Sequence, residues 1–141
     1  GALVALCVMV SVLALAGPNT DLSQYPVKSA DWMARRGMLD VGQRVVVQDF
    51  NGNFFTYRYG PDRTRVFIDD RVDMYPLPVI RDYTKLITAG SPFQRILDGY
   101  HPTAVLWQKR TPLARFLQHS KDWKIVHQDK MWLVAVPVTG D

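Results

Sequence analysis

The sequence predicts an α/β domain of three layers, built on a mainly parallel five-stranded sheet that ends in a C-terminal antiparallel hairpin. Three observations predict it. Short runs rich in β-branched residues, RVVVQDF, RVFID and TAVLWQ, alternate with stretches of helical spacing. Pro and Gly stand where helices should open and close. The last apolar stretch, WKIVHQDKMWLVAVP, breaks at the polar turn Gln128-Asp129-Lys130, as a hairpin does.

The elements follow in chain order. Residues 1–20 contain no charged side chain, and the opening GALVALCVMVSVLALAG admits three readings. A soluble core helix would have no polar face to offer solvent. A signal peptide fits Ala14-Leu15-Ala16 before Gly17 but lacks a basic flank. The end of a transmembrane helix fits an apolar rise of about 24 Å, part of a hydrocarbon core of about 30 Å. The chain is therefore divided into the end of a transmembrane helix (1–17), a linker (18–25) and the folded domain (26–141).

Within that domain, PVKSADWMARRG gives a short helix with Pro26 at its start and Gly37 after its end. RVVVQDF (44–50) suits a strand covered on both faces, with Asn51-Gly52 as the turn after it. FFTYRY is strand or helix; its periodicity does not separate the two. RVFID (65–69) is a second buried strand, and 78–90 an amphipathic helix closed by Gly90. Ser91-Pro92 and Thr111-Pro112 are N-cap and N1 pairs opening two further helices, with the strand 103–108 between them.

Composition excludes several functions. The 17 basic and 13 acidic residues leave a net charge of +4 that is dispersed along the chain. No basic stripe with aromatic platforms occurs, so a nucleic-acid partner is not expected. Cys7 is the only cysteine and cannot build a disulfide framework or a zinc site. There is no P-loop, GxGxxG or G-x-S-x-G, and no cofactor is expected. His101, His119 and His127 lack ligand spacing and read as partly exposed surface residues. NFFTYRY reads as half core and half surface, against a sugar-stacking groove as the alternative.

The stretch that stands out is RVFIDDRVDMYP (65–76), where an apolar run drives into Asp69, Asp70, Arg71 and Asp73 before Tyr75-Pro76. Carboxylates past the end of a buried strand lie where open α/β sheets bind ligands. As hard oxygen donors, Asp69, Asp70 and Asp73 would suit magnesium or manganese, as in a free-standing metal-dependent glycosyltransferase. An acidic cluster alone is a weak signal, and a self-paired corner or a docking role is favoured over a metal.

Taken together, YPVKSADWMARRG, QDFNGNFFTYRYGP, RVFIDDRVDMYP, ILDGYHPTAVLW and PLARFLQHSKDWKIVHQDKMWLVAV, behind an apolar lead, resemble one family over essentially all 141 residues. It is the C-terminal extracytoplasmic domain of bacterial, actinobacterial-type polytopic membrane proteins similar to C-type glycosyltransferases, which use polyprenyl-phosphate sugars. The resemblance implies a cell-membrane location with the soluble part extracytoplasmic. Its partners would be the rest of a polytopic membrane protein, the lipid bilayer, and a glycan or polyprenyl-phosphate-sugar. The family's catalytic carboxylates lie in loops of the membrane domain and have no counterpart here, so the chain itself is expected to be non-catalytic. What carries over is Asn51 and Gly52 with Asp69, Asp70, Arg71, Asp73 and Tyr75, which would border a membrane-proximal groove and shape the acceptor site. Many relatives have Gly where this chain has Asp70, which adds a negative charge. The rival expectation is a secreted or membrane-tethered binding module without transferase activity.

Overall fold

The computed structural model describes residues 21–138, together with Cys7. The expected membrane-spanning end at 1–17 lies, Cys7 apart, outside the described residues. Among those described, no helix is long and apolar enough to cross a membrane.

The described elements are α1 (Val27–Ala34), β1 (Arg44–Val46), α2 (Asp49–Tyr59), β2 (Arg65–Val66), a 3-10 turn at Val72–Met74, α3 (Leu77–Thr88), α4 (Phe93–Tyr100), β3 (Ala104–Gln108), α5 (Pro112–His119), β4 (Trp123–Gln128) and β5 (Trp132–Pro137). The sheet is five-stranded in the order β2-β1-β3-β5-β4. β1 pairs in parallel with β2 and β3, whereas β5 pairs antiparallel with both β3 and β4. The sheet is therefore mixed rather than mainly parallel. The reason is the hairpin: β5 turns back and inserts beside β3, so it reverses two ladders at once.

Side chains alternate across a strand, and here that alternation sorts the apolar residues into two cores. Val45, Val47, Ala104, Leu106, Trp132 and Val134 face α1 and α2, meeting Ala30, Met33, Phe54 and Phe55. Val46, Val105, Trp107, Leu133 and Ala135 face α3, α4 and α5, meeting Tyr83, Leu86, Leu97, Leu113 and Leu117. The central strands are thus apolar on both sides because both sides are covered. Each fully buried Leu, Phe or Val is worth about 1.5–3 kcal/mol as an upper estimate.

Polar anchors fix how the helices join this sheet. Thr111 caps α5 by accepting from the Ala114 N–H, and its own hydroxyl donates to the Gln108 carbonyl at 2.8 Å. Asp129, in the hairpin turn, accepts from the Ser29 hydroxyl on α1 at 2.6 Å and from the Trp132 N–H at 2.8 Å. Burial would raise the Asp129 carboxyl, but these donors outweigh it and hold it below the usual range.

Four local expectations are corrected. The strand 44–50 stops at Val46, and Asn51-Gly52 is no turn but the first turn of α2. The helix starts there because Tyr83, on α3, takes over its capping. The Asp49 N–H donates to the Tyr83 hydroxyl at 2.8 Å, and that hydroxyl donates back to Asp49 Oδ1 at 2.8 Å. The stretch 65–69 pairs only at Arg65 and Val66. Ser91 makes no cap, since Pro92 takes the N-cap position of α4.

Candidate functional site

The fold brings together the two segments singled out in the sequence. The first turn of α2 lies directly on the residues that follow β2. A methyl group on Gly52 would stand 2.5 Å from the Ile68 carbonyl oxygen and 2.6 Å from the Asp69 Cα, so only glycine permits this approach. One turn face further on, the Asn53 amide donates to the Asp70 carboxylate. Asn51 is fully buried beside this contact, and neither of its amide atoms has a hydrogen-bond partner.

Asp69 is the anchor of the block. It is 2% exposed, yet its carboxylate is well satisfied by Arg71. The Arg71 backbone N–H donates to Oδ1 at 3.0 Å, and the guanidinium donates to Oδ2 through Nε at 3.1 Å and Nη2 at 2.6 Å. Hydrogen bonding from Arg71 holds the Asp69 carboxyl below the usual carboxylate range, against the opposing effect of burial. The rest of the Arg71 side chain remains largely exposed. Tyr75 follows the 3-10 turn and is half-buried; burial first, and the Asp69 charge second, push its hydroxyl up.

The three carboxylates do not converge. Asp69 turns inward to Arg71, Asp70 engages Asn53, and Asp73 sits exposed on the 3-10 turn. Among the described residues no group of three or more His, Cys, Asp or Glu side chains is placed to hold a metal ion.

An open groove of ≈ 550 Å³ runs along the sheet edge at β2. Asp69, Arg71 and Tyr75 line it, and so do Arg44, Arg65 and Tyr100, which sequence reasoning missed. The Arg44 guanidinium lies 4.4 Å from the centre of the Tyr100 ring, and the Tyr100 hydroxyl donates to the Arg65 carbonyl at 3.4 Å. Burial pushes the Tyr100 hydroxyl up, while Arg44 and Arg65 pull the other way. The signal that could have found these residues is positional: Arg44 and Arg65 each open a predicted strand, and Tyr100 closes the helix before the next one. Asn51, Gly52, Asp70 and Asp73 do not line it.

Chemically, the lining supplies guanidinium and hydroxyl donors, with no His, Cys, Ser or Lys. The histidines lie elsewhere. His101 closes α4 in a left-handed conformation, and exposed His119 sets Nδ1 2.7 Å from the Arg115 carbonyl. His127 stacks on Trp32 with ring centres 4.6 Å apart. Phe54 and Phe55 belong to the core, whereas Tyr57 is 94% exposed, so the aromatic run divides between core and surface.

No protein-family model matches this chain, and neither the curated proteins nor the solved structures contain a significant match to it.

Proposed function

We infer that the chain is the non-catalytic extracytoplasmic domain of a membrane-embedded glycosyltransferase-like protein, and that the groove along β2 helps to shape its acceptor or glycan site. One observation supports this above others: Asp69, Arg71 and Tyr75 from the sequence block share that groove with Arg44, Arg65 and Tyr100. Fixed guanidinium and phenol donors beside aromatic rings are what a polyhydroxylated ligand needs for orientation. The Asp69–Arg71 pair anchors one guanidinium in the groove wall, which lowers the cost of ordering it around a ligand. The charge-free residues 1–20 supply the reason to seat the domain beside a bilayer.

The test has two parts. The reading frame upstream of Gly1 should encode further hydrophobic spans, and Tyr75→Phe should impair sugar transfer by the complete protein while leaving its fold intact. Transferase turnover by the 141-residue chain alone, or unaltered transfer by the Tyr75→Phe protein, would contradict the reading.

A secreted or membrane-tethered binding module is favoured by a different observation. A second cavity of ≈ 290 Å³, lined by Leu22, Tyr25, Val27, Met131 and Trp132, opens where the folded part begins. Glycan binding by the chain together with a start codon and a basic flank just upstream would support that reading instead.

A further inference from the structure

Where the chain enters the fold from its charge-free residues, the surface is apolar at its centre and basic at its rim. Residues 1–20 hold no charge, and the folded part follows from Asp21. The entry is a closed turn: Asp21 accepts from the Ser23 N–H at 2.9 Å, and the Tyr25 N–H donates to the Leu22 carbonyl at 3.0 Å. That turn lays Leu22 and Tyr25 beside the hairpin turn, where they line the cavity of ≈ 290 Å³ with Val27, Met131 and Trp132. Phe50 joins them, its ring centre 6.4 Å from that of Tyr25 and 6.1 Å from that of Trp132. Phe50 and Met131 are both exposed. Contiguous apolar groups of this kind, rimmed by charge, mark an interaction surface.

The basic rim comes from sheet register. β3 ends at Gln108, which pairs with Trp132 at the start of β5, so the residues after β3 abut the hairpin turn. The Lys109 N–H donates to the Met131 carbonyl and Lys109 Nζ to the Asp129 carbonyl, both at 2.8 Å. A depression of ≈ 260 Å³ shares Lys130 and Met131 with the apolar cavity and adds Lys109 and Arg110. Lys28, Lys109, Arg110 and Lys130 against Asp129 leave the combined lining at a formal +3. The Asp129 carboxylate is committed inward, Oδ2 to the Ser29 hydroxyl and Oδ1 to the Met131 and Trp132 N–H groups. Asp21, at the entry, subtracts one charge from the surroundings.

We propose that this end of the domain docks on a bilayer surface of anionic phospholipid, with Phe50 and Met131 entering the headgroup layer and the four cations meeting the lipid charge. An apolar centre ringed by Lys and Arg suits a surface that lies in the interface, where each basic side chain gains from the negative leaflet. The length of the tether selects lipid over other occupants. An apolar segment in the membrane that ends at Ala16 leaves residues 17–21 as the connection, at most about 18 Å when fully extended. The cavity, whose lining begins at Leu22, is thereby held beside the headgroups before any partner in solution reaches it. The proposal rests on the reading of the chain as membrane-attached, which the transferase and tethered-module readings share. It adds which surface faces the lipid and which lipid charge that surface selects.

The test reconstitutes the full 141-residue chain with vesicles of phosphatidylcholine alone, or of equal parts phosphatidylcholine and phosphatidylglycerol. In a Cys7→Ser background, Met131→Cys or Tyr57→Cys carries a fluorophore, and a spin label on the lipid headgroup quenches it. Both positions are exposed, and Tyr57 lies near the far end of α2. In the mixed vesicles the label at position 131 should be quenched far more strongly than the label at position 57, and the excess should shrink as salt rises. Lys28→Gln and Lys130→Gln, both at exposed positions, should each lower the docked-to-undocked ratio about fivefold, the worth of one lysine beside an anionic surface. Arg115→Gln, on α5, should leave the ratio unchanged. Flotation with both kinds of vesicle but equal quenching at the two positions overturns the docking surface and leaves membrane attachment standing. Failure to float with either removes the attachment and the docking surface together. The same excess in neutral and anionic vesicles, with both lysine variants like the parent, overturns the choice of an anionic lipid. Shielding at position 131 that grows with protein concentration in detergent, without lipid quenching, assigns the surface to a second copy of the chain and likewise overturns the proposal.

Discussion

Replacing Gly52 by alanine probes the contact that joins α2 to the acidic block. In an ordinary helix interior this change stabilises by about 1 kcal/mol, because alanine loses less backbone entropy on folding. Gly52 lies within α2, so that gain applies. Against it, the new methyl would meet the Ile68 carbonyl oxygen at 2.5 Å, the Asp69 Cα at 2.6 Å and the Asp69 Cβ at 2.7 Å. Carbon contacts are comfortable at about 3.5–4.0 Å, so the loop and helix must part by roughly 1 Å. None of the three atoms belongs to a flexible side-chain end that could swing away. Overpacking of this kind costs at the upper end of about 1–3 kcal/mol, which leaves a net loss of about 2 kcal/mol. Gly99 supplies the internal control: it is helical, exposed, and an added methyl meets nothing within 4 Å. Gly99→Ala should stabilise by about 0.5–1 kcal/mol. Urea unfolding of the two variants and the parent, at unchanged m, measures both values. The reasoning is refuted if Gly52→Ala is as stable as the parent, or if the two substitutions shift stability in the same direction.

Two further outcomes follow from groups buried around that contact. The Asp69 carboxyl is depressed by its hydrogen bonds from Arg71, so it contributes stability above the unfolded carboxylate pKa of about 3.9, and this contribution is lost as pH falls through the lower folded value. Asp69→Asn should therefore lower stability at neutral pH and flatten the acid limb of a stability–pH curve; an unchanged acid limb would remove Asp69 from the account. Asn51 buries an amide with no partner on either atom, so Asn51→Leu, of similar size, should be neutral or stabilise by about 1–2 kcal/mol in thermal unfolding. A clear loss of stability would show that the amide is in fact satisfied.

Legibility of the fold in the sequence divides along the distance over which each cause acts. Thr111-Pro112 and the stripe behind it announce α5 because cap, first turn and apolar face are neighbours in sequence. The hairpin is announced in the same way by a polar turn between two apolar runs. The start of α2 was not legible, because its cap comes from Tyr83 in another helix, 34 residues away. Asn-Gly signals a hairpin only between strands that pair, and at Gly52 the glycine serves close packing against Asp69 instead. At the site, the block from Asp69 to Tyr75 stood out because its charges are adjacent. Arg44 and Arg65 did not, because strand register alone places them side by side.

The groove and the edge of the sheet have one origin. β2 is two residues long, and its last ladder bond runs from the Phe67 N–H to the Val45 carbonyl at 3.1 Å. Val66 packs into the core beneath α1 and α2, yet Phe67 and Ile68 both pack into the opposite core. Two successive residues on one face cannot belong to a regular strand, so the strand must end where Ile68 turns inward. That turn delivers Asp69 to its buried place under Gly52 and sends Arg71 and Tyr75 around the outside of the edge. Phe67, left at the corner, meets the Tyr100 ring edge-on and fixes the surface on which Arg44 lies. So short an edge also exposes little unpaired backbone to another sheet. On the far side, β4 has six residues and a register shift between Ile125 and His127, an irregularity that likewise spoils an edge for pairing. Both edges are thus guarded, but only the parallel one is guarded by stopping early. A strand that continued through Asp69 would extend the β2 edge across the space that the groove occupies, so the site exists because the sheet gives way there.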